Sequence, residues 1–485
     1  MSLRRDGSSK FKLPENRWGT FWSVGGGWRI SDESFMTGAK NVWLDDLKIR
    51  ASFGEIGNQN GIGYYSGYQT WGLGTPSRNY SGTSWSPQGY TLSQGAWAND
   101  GLTWEVVAIV DAGVDFRLWK RFYGSVDWYQ RTTKNAIWNE PIAYSLGQAS
   151  LQKNSAQIRN AGIEFDLHYD VIKTKDFLWS IALNGTHYRT TVVSVPPGTG
   201  SEELNGNWIA DDSGWSAAGT GSTSGGYYLR GVGKDFYNTY LYIYGGVDQK
   251  TGLPLYKAYL TQSDIDQYNA TPKDLAYADV LDSKGQVRQI GTDFYTTSRS
   301  LAKRYENGSA VPKFIGGFST TLAFKGFDLN ALLSFQLGGK FLSVQYANGL
   351  YQGNHTIGGV VSRDLKGNTW TPENTGAKFP MQMYTGETYS GGATLGSWMY
   401  TDMAQFSASY LSVKNIAIGY TLPKKTLAKV LFVESLRFYG SVDNMWVFSA
   451  KSGVDPRMSL IGGLDVGAFT YPYMRTMNLG VNIVF

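Results

Sequence analysis

Cysteine is absent from the 485 residues, which excludes a disulfide scaffold, a zinc–thiolate site and a cysteine nucleophile. Histidine is nearly absent too: His168, His187 and His355 are scattered along the chain. No stretch reaches the roughly 18 consecutive apolar residues of a transmembrane helix. Met1 is followed by Ser2, Leu3, Arg4, Arg5 and Asp6, with no apolar segment of the kind a signal peptide needs. An exported protein needs an address, so either this protein is not exported or the chain is a fragment whose beginning is missing. Charge is sparse, with 17 % Asp, Glu, Lys and Arg against about 25 % in average domains. The net charge of +5 comes without a dense basic run, which argues against a nucleic-acid partner. A mean hydropathy of −0.29 says little against a membrane barrel, because alternating strands average to low values.

What the chain does have is aromatics and glycine: 32 Tyr, 23 Phe, 17 Trp and 60 Gly. They are arranged with period two, the signature of half-buried strands. Ala161, Ile163, Phe165, Leu167 and Tyr169 share one face, while Gly162, Glu164, Asp166, His168 and Asp170 share the other. After Ile172-Lys173-Thr174-Lys175-Asp176 the pattern resumes with Phe177, Trp179, Ile181 and Leu183, which predicts a hairpin. A second hairpin sets Ala112, Val114, Phe116 and Leu118 against Asp111, Asp115 and Arg117, turns near Trp119-Lys120-Arg121, and returns through Phe122, Val126 and Trp128. A third turns at Lys325-Gly326, and a fourth runs from Tyr410 to Leu422 and back from Leu436 to Phe448 through Pro423-Lys424-Lys425. Trp18 to Ile30 and Leu47 to Phe53 read the same way. The pattern predicts about 14 strands of roughly 9–13 residues, long enough to span a bilayer when tilted.

Long polar stretches separate the hairpins, over 72–100, 190–226, 246–310, 340–408 and 449–470. Short turns on one side and long loops on the other are the asymmetry of an outer-membrane barrel. No amphipathic helical run competes for these stretches, and no fixed repeat appears. A soluble β-sandwich or propeller also alternates, but its strands average about 5–6 residues. Aromatics at Trp104, Trp119, Trp128, Tyr129 and Trp179 fall at strand ends, where interfacial girdles sit. The expected fold is all-β: a transmembrane antiparallel β-barrel with long extracellular loops.

The C-terminus carries the sharpest form of the pattern. Met477, Leu479, Val481, Ile483 and Phe485 fall on one face, and Asn478, Gly480 and Asn482 on the other. A lipid-facing apolar row and a lumen-facing polar row are what a barrel strand needs. Asn478, Gly480, Ile483 and Phe485 fit the sorting signal read by the outer-membrane assembly machinery. The plainer alternative is an edge strand that happens to alternate.

Several segments resemble the SusC/RagA-type TonB-linked outer-membrane transporters. Ser2 to Phe11 with Asn16-Arg17-Trp18-Gly19-Thr20-Phe21, and Gly27 to Phe35, look like that family's mid-barrel signature. Leu47 to Gly54 with Gly57-Asn58-Gln59, Asn160 to Glu164 and Pro312 to Phe318 follow in family order. Tyr410 to Pro423, Leu436 to Tyr439, Asp443-Asn444 and Gly453-Val454-Asp455-Pro456 continue the likeness to the end. The resemblance implies active import of a bulky nutrient, a glycan or a peptide, across a Gram-negative outer membrane. It implies TonB as the energising partner and a SusD-like surface lipoprotein as the cap. The family's signal peptide, TonB-box region, plug and first barrel strands have no counterpart here. Barrels of this type have about 22 strands around a plugged lumen. Residues 1–485 are thus expected to be the C-terminal part of such a barrel, from a longer protein or a truncated gene product. A passive porin or a surface glycan-binding β protein is the alternative.

No catalytic constellation is legible, and no cofactor is expected. His168 falls on a polar strand face, as a hydrogen-bonded lumen residue or, less simply, a metal ligand. Glu202-Glu203 and Asp211-Asp212 are solvated loop charges or a calcium site. Gly338-Gly339-Lys340 lacks the phosphate-loop spacing. The loop aromatics Trp71, Trp85, Trp97, Trp208, Trp215, Tyr227 and Tyr228 pack among themselves or stack on the rings of a bound sugar.

Overall fold

The structure, a computed structural model, describes residues 1–40, 42–73, 80–81, 84–85, 92–95, 97–147, 150–196, 202–204, 207–209, 231–270, 287–298, 302, 304–350, 361–382, 401–427, 433–458 and 473–485. It divides into two units. The first comprises Met1–Val171, Ser180–Asp211 and Arg230–Phe236; the second comprises Ile172–Trp179, Asp212–Leu229 and Tyr237–Phe485.

Long antiparallel strands built from the alternating segments dominate both units. The first unit ladders in chain order β1 (Ser2–Gly7), β2 (Trp18–Arg29), β3 (Leu44–Asn58), β4 (Glu105–Leu118), β5 (Phe122–Pro141), β6 (Ser150–Lys173) and β7 (Phe177–Ser194). Ile172–Lys173, where β6 ends, and Phe177–Trp179, where β7 begins, group with the second unit. The second unit ladders β8 (Phe314–Phe324), β9 (Phe327–Leu337), β10 (Tyr410–Thr421), β11 (Ser435–Ser449) and β12 (Thr476–Val484).

Register puts like with like. Ile49 pairs with Val114, Val114 with Val126 and Val126 with Phe165, so one face of the first ladder is an apolar row running across four strands. The second ladder matches it with Leu322, Leu329, Ile418, Gly440 and Leu479. Trp28, Ile49, Trp128, Ile163, Ile418 and Phe438 on these rows are exposed. An apolar face of that extent is poor in water and suited to lipid.

The turns explain why adjacent strands return so tightly. Trp119 and Lys120 both have positive φ, 51° and 58°, as do Lys325 and Gly326, at 46° and 93°. Two such residues make the hairpin turn whose twist matches the strands. The first turn does this without glycine. The Trp119 N–H donates to the Trp43 carbonyl at 2.9 Å and the Lys120 N–H to the Asp45 carboxylate at 2.5 Å.

Three expectations need correction. Among the described residues the ladders hold twelve strands rather than about 14, and shorter segments such as the five-residue Asn238–Tyr242 pair outside them. Strands β5, β6 and β7 run 20, 24 and 18 residues, well past the roughly 9–13 that alternation marks. Beyond Trp128 the outward row of β5 turns polar at Gln130, Thr132 and Lys134 while pairing with β4 continues. Backbone pairing therefore outlasts the lipid-facing pattern. Lastly, 246–310 and 340–408 are not plain polar loops. Among the described residues they contribute a four-stranded sheet (Tyr244–Val247, Pro254–Lys257, Asp293–Thr296, Val287–Ile290) and the helices Gln262–Ala270 and Val344–Gly349. Leu241, Tyr256, Leu342, Leu350, Phe379 and Ala404 form their buried core. Glycines, serines and asparagines between these residues dilute the apolar pattern, which hides the core from a periodicity reading.

Candidate functional site: the inner wall and the loop face

The polar face of each ladder is a wall of paired charge. In the first unit Arg50 on β3 is in register with Gly113 on β4, which is in register with Asp127 on β5. Gly113 leaves the guanidinium room to lie across its own strand. A Cβ there would stand 2.9 Å from Arg50 Cζ and would collide with the Asp127 carboxylate. Arg50 Nη2 thus reaches Asp127 Oδ1 at 2.5 Å, its Nε Asp115 Oδ1 at 3.3 Å and its Nη1 Asp111 Oδ1 at 3.4 Å. Lys48 Nζ lies 4.0 Å from Asp115. Further along the same face Glu164 is in register with Asp127. His168 sits there as well, within 3.1 Å of Asp166 Oδ2 and stacked on Tyr123 with ring centroids 5.0 Å apart.

The second unit repeats the device with one acid. Arg437 on β11 passes over Gly419 on β10 to Asp328 on β9, its Nε donating to Oδ1 at 3.0 Å and its Nη2 to Oδ2 at 2.5 Å. A Cβ on Gly419 would sit 2.5 Å from Asp328 Oδ1. Next along the wall, the Asp443 carboxylate accepts from Asn415 Nδ2 at 2.7 Å and Asn478 Nδ2 at 3.4 Å. The two arginines and their aspartates are 17–35 % exposed, so the pairs are partly screened, and removing one member leaves its like-charged neighbours uncompensated. Each guanidinium bridges three neighbouring strands, so the wall offers a fixed pattern of charge to whatever occupies the lumen.

The C-terminal strand shows where its expected signal residues stand. Asn478 faces the wall. Gly480 is in register with Tyr439, and any side chain there would run into that ring. Ile483 pairs with Leu436 on the apolar face, and Phe485 follows the last paired residue, Val484, with its ring exposed.

At the loop end, Trp71 lies exposed in a strand pair of Trp71–Leu73 with Leu92–Gln94. Trp97 is exposed too and donates its indole N–H to the Leu146 carbonyl at 3.1 Å. Trp85 and Trp208 belong to the short strands Ser84–Trp85 and Asn207–Ile209, but their side chains lie outside the described residues, as do Trp215, Tyr227 and Tyr228 altogether. The structure therefore places the side chains of Trp71 and Trp97 alone among the described residues of this set.

The sequence offered no sign of a second polar centre in the loop end of the second unit. The Tyr346 hydroxyl and Lys451 Nζ both donate to Asp364 Oδ2 at 2.5 Å, and Lys451 also lies 5.2 Å from the Tyr346 ring centroid. The Lys451 and Tyr346 hydrogen bonds hold the Asp364 carboxyl below its usual range. Burial and then Asp364 push the Tyr346 hydroxyl up. Nearby chemistry runs the other way at Asp402, whose carboxyl is raised by burial although it accepts the Tyr244 N–H at 2.7 Å. These residues are 18 to 158 positions apart, so only their spatial convergence reveals them.

Comparison with known proteins fits this architecture. Residues 1–269 match the TonB dependent receptor-like, beta-barrel family. TonB-dependent receptor P3 of Formosa agariphila is 29 % identical over 497 aligned residues, covering 100 % of this chain and 43 % of that protein. TonB-dependent receptor SusC of Bacteroides thetaiotaomicron is 26 % identical, covering 100 % of this chain and 42 % of SusC. The chain thus spans less than half the length of the curated relatives it matches. In fold it is similar to a chain of the RagAB peptide transporter, with a TM-score of 0.70 and 22 % identity over 99 % of this chain and 45 % of that one. With more than half its residues matched and a two-faced antiparallel ladder, the chain belongs to the TonB dependent receptor-like β-barrel family.

Proposed function

We propose that this chain is the C-terminal barrel wall of a SusC/RagA-type receptor that imports a bulky nutrient through the outer membrane of a Gram-negative cell. The observation that carries the reading is the ladder itself: an exposed apolar row on one face and a charge-paired wall on the other. Similarity to SusC along the whole chain supports it. Import is active, driven by TonB through parts of the receptor outside residues 1–485. A SusD-like lipoprotein covers the extracellular end. The cargo class is glycan or peptide, and the RagAB likeness favours peptide. Trp71 and Trp97, with Trp85, Trp208, Trp215, Tyr227 and Tyr228, supply stacking surfaces at the loop end. Asn478, Gly480, Ile483 and Phe485 form the signal for the assembly machinery. The chain works as a conduit and not as an enzyme.

The test is uptake of candidate glycans and peptides by cells carrying the parent receptor, with and without the TonB system. Loss of uptake on TonB deletion is expected. Uptake that survives the deletion contradicts active import and points to a passive pore. Affinity purification of the parent receptor should bring down a SusD-like lipoprotein.

A further inference from the structure

The turn end of the second unit carries more positive charge than its wall needs. We infer that this rim binds the headgroups of anionic phospholipids in the periplasmic leaflet. This rests on the outer-membrane reading above, in which the short-turn end faces the periplasm.

Three successive turns are joined there by backbone hydrogen bonds. The Lys325 N–H donates to the Asp176 carbonyl at 3.3 Å, and the Thr421 N–H donates to the Gly326 carbonyl at 2.8 Å. Lys173 and Lys175 occupy the first turn, Lys325 the second, and Lys424 and Lys425 the third, and all five are exposed. The acids of the same turns are Asp176 and Glu434. Among the described residues no ion pair involves Lys175, Lys325, Lys424 or Lys425. Their charge is available to a partner.

Immediately beneath the lysines, on the lipid-facing side, runs a row of rings. Phe177 meets Phe324 with centroids 6.0 Å apart, Phe324 pairs with Phe327, Phe327 meets Tyr420 at 4.4 Å, and Tyr420 pairs with Phe438. Phe324, Phe327 and Phe438 are 48 %, 57 % and 47 % exposed. Aromatic rings favour the depth where acyl chains meet headgroups. They fix the height of the rim so that the lysines sit at the phosphates. Lys325, 5.3 Å from the Phe324 centroid, links the two layers. Cations at that height attract anionic lipid, each contributing roughly fivefold in affinity. A zwitterionic headgroup offers no such net attraction.

The experiment is native mass spectrometry of the parent receptor in non-ionic detergent, titrated with phosphatidylglycerol or phosphatidylethanolamine. Selective retention of phosphatidylglycerol is expected. The quadruple variant K175Q/K325Q/K424Q/K425Q should lose on the order of several hundredfold of that affinity, and K325Q alone about fivefold. K366Q, at an exposed position in the loop end, should keep it. Equal retention of the two lipids, or unchanged preference in K325Q and the quadruple variant, overturns the inference. Competition by inorganic phosphate as effective as by the lipid overturns the lipid assignment. Uptake is not read here, so a failure of lipid selectivity leaves the transport reading standing, and a failure of TonB dependence leaves the lipid result standing.

Discussion

The two units line their inner faces with the same device and load it differently. In each, an arginine crosses a glycine to reach an aspartate two strands away: Arg50 over Gly113 to Asp127, and Arg437 over Gly419 to Asp328. Arg437 meets one carboxylate in a two-pronged contact, the geometry that a planar guanidinium favours. Arg50 stands among three carboxylates and satisfies none of them so fully. The balanced pair is a staple. The crowded set is a counter-charge on which three acids depend, and its surplus of negative charge is a feature the lumen presents. The loop ends differ as well. The first unit buries Phe11, Phe21, Ile62, Leu102 and Trp104, whereas the second builds a larger core with its own sheet and helices. Among the described residues, charge organisation is concentrated in the first unit and loop organisation in the second.

That contrast orders the expected effects of mutation. R50M should be the most damaging, because it leaves Asp111, Asp115 and Asp127 clustered without their arginine. Breaking a fully buried set costs about 3 kcal/mol, an upper bound for this partly exposed one, read as a lower denaturation midpoint of the refolded parent receptor. R437M strands a single acid and should cost about 2 kcal/mol; a loss equal to that of R50M would erase the distinction between the walls. G419A should cost about 1–2 kcal/mol by forcing Arg437 off Asp328. Pairing it with R437M should show clear non-additivity in a double-mutant cycle. The smallest effect is at the loop end. Asp364 has its folded pKa lowered, so its contribution is present above the ordinary aspartate value of 3.8 and is lost as pH falls through the lower folded value. Hydrogen exchange around Val344–Gly349 should therefore be flat from neutral pH to about pH 4 once intrinsic rates are removed, then quicken in acid. K451M should weaken the extra protection at neutral pH and leave the part that the Tyr346 hydrogen bond supplies.

The ladder was readable from sequence because lipid and lumen impose opposite chemistry on alternate residues. The turn at Lys325-Gly326 and the faces of β6 and β12 stand where period two puts them. The wall was half readable. Arg50, Asp111, Asp115 and Asp127 each stand out as polar positions, but their convergence depends on register and on the space left at Gly113, neither of which is local. The full lengths of β5 to β7 escaped because strand pairing in water needs no apolar row. The folded loop end of the second unit escaped because Leu241, Tyr256, Leu342 and Phe379 lie far apart in the chain and show no common period. The Tyr346–Asp364–Lys451 centre escaped for the same reason.

The most direct test of the two-faced ladder uses the absence of cysteine from all 485 residues. Single cysteines are placed along β11 in the membrane-embedded parent receptor and exposed to a water-soluble maleimide. Positions Arg437, Tyr439, Ser441 and Asp443 face the wall and should react. Leu436, Phe438, Gly440 and Val442 face lipid and should be protected. Reactivity that alternates with period two is the expected result; reactivity that is uniform along the strand contradicts a membrane-spanning ladder with a polar inner wall.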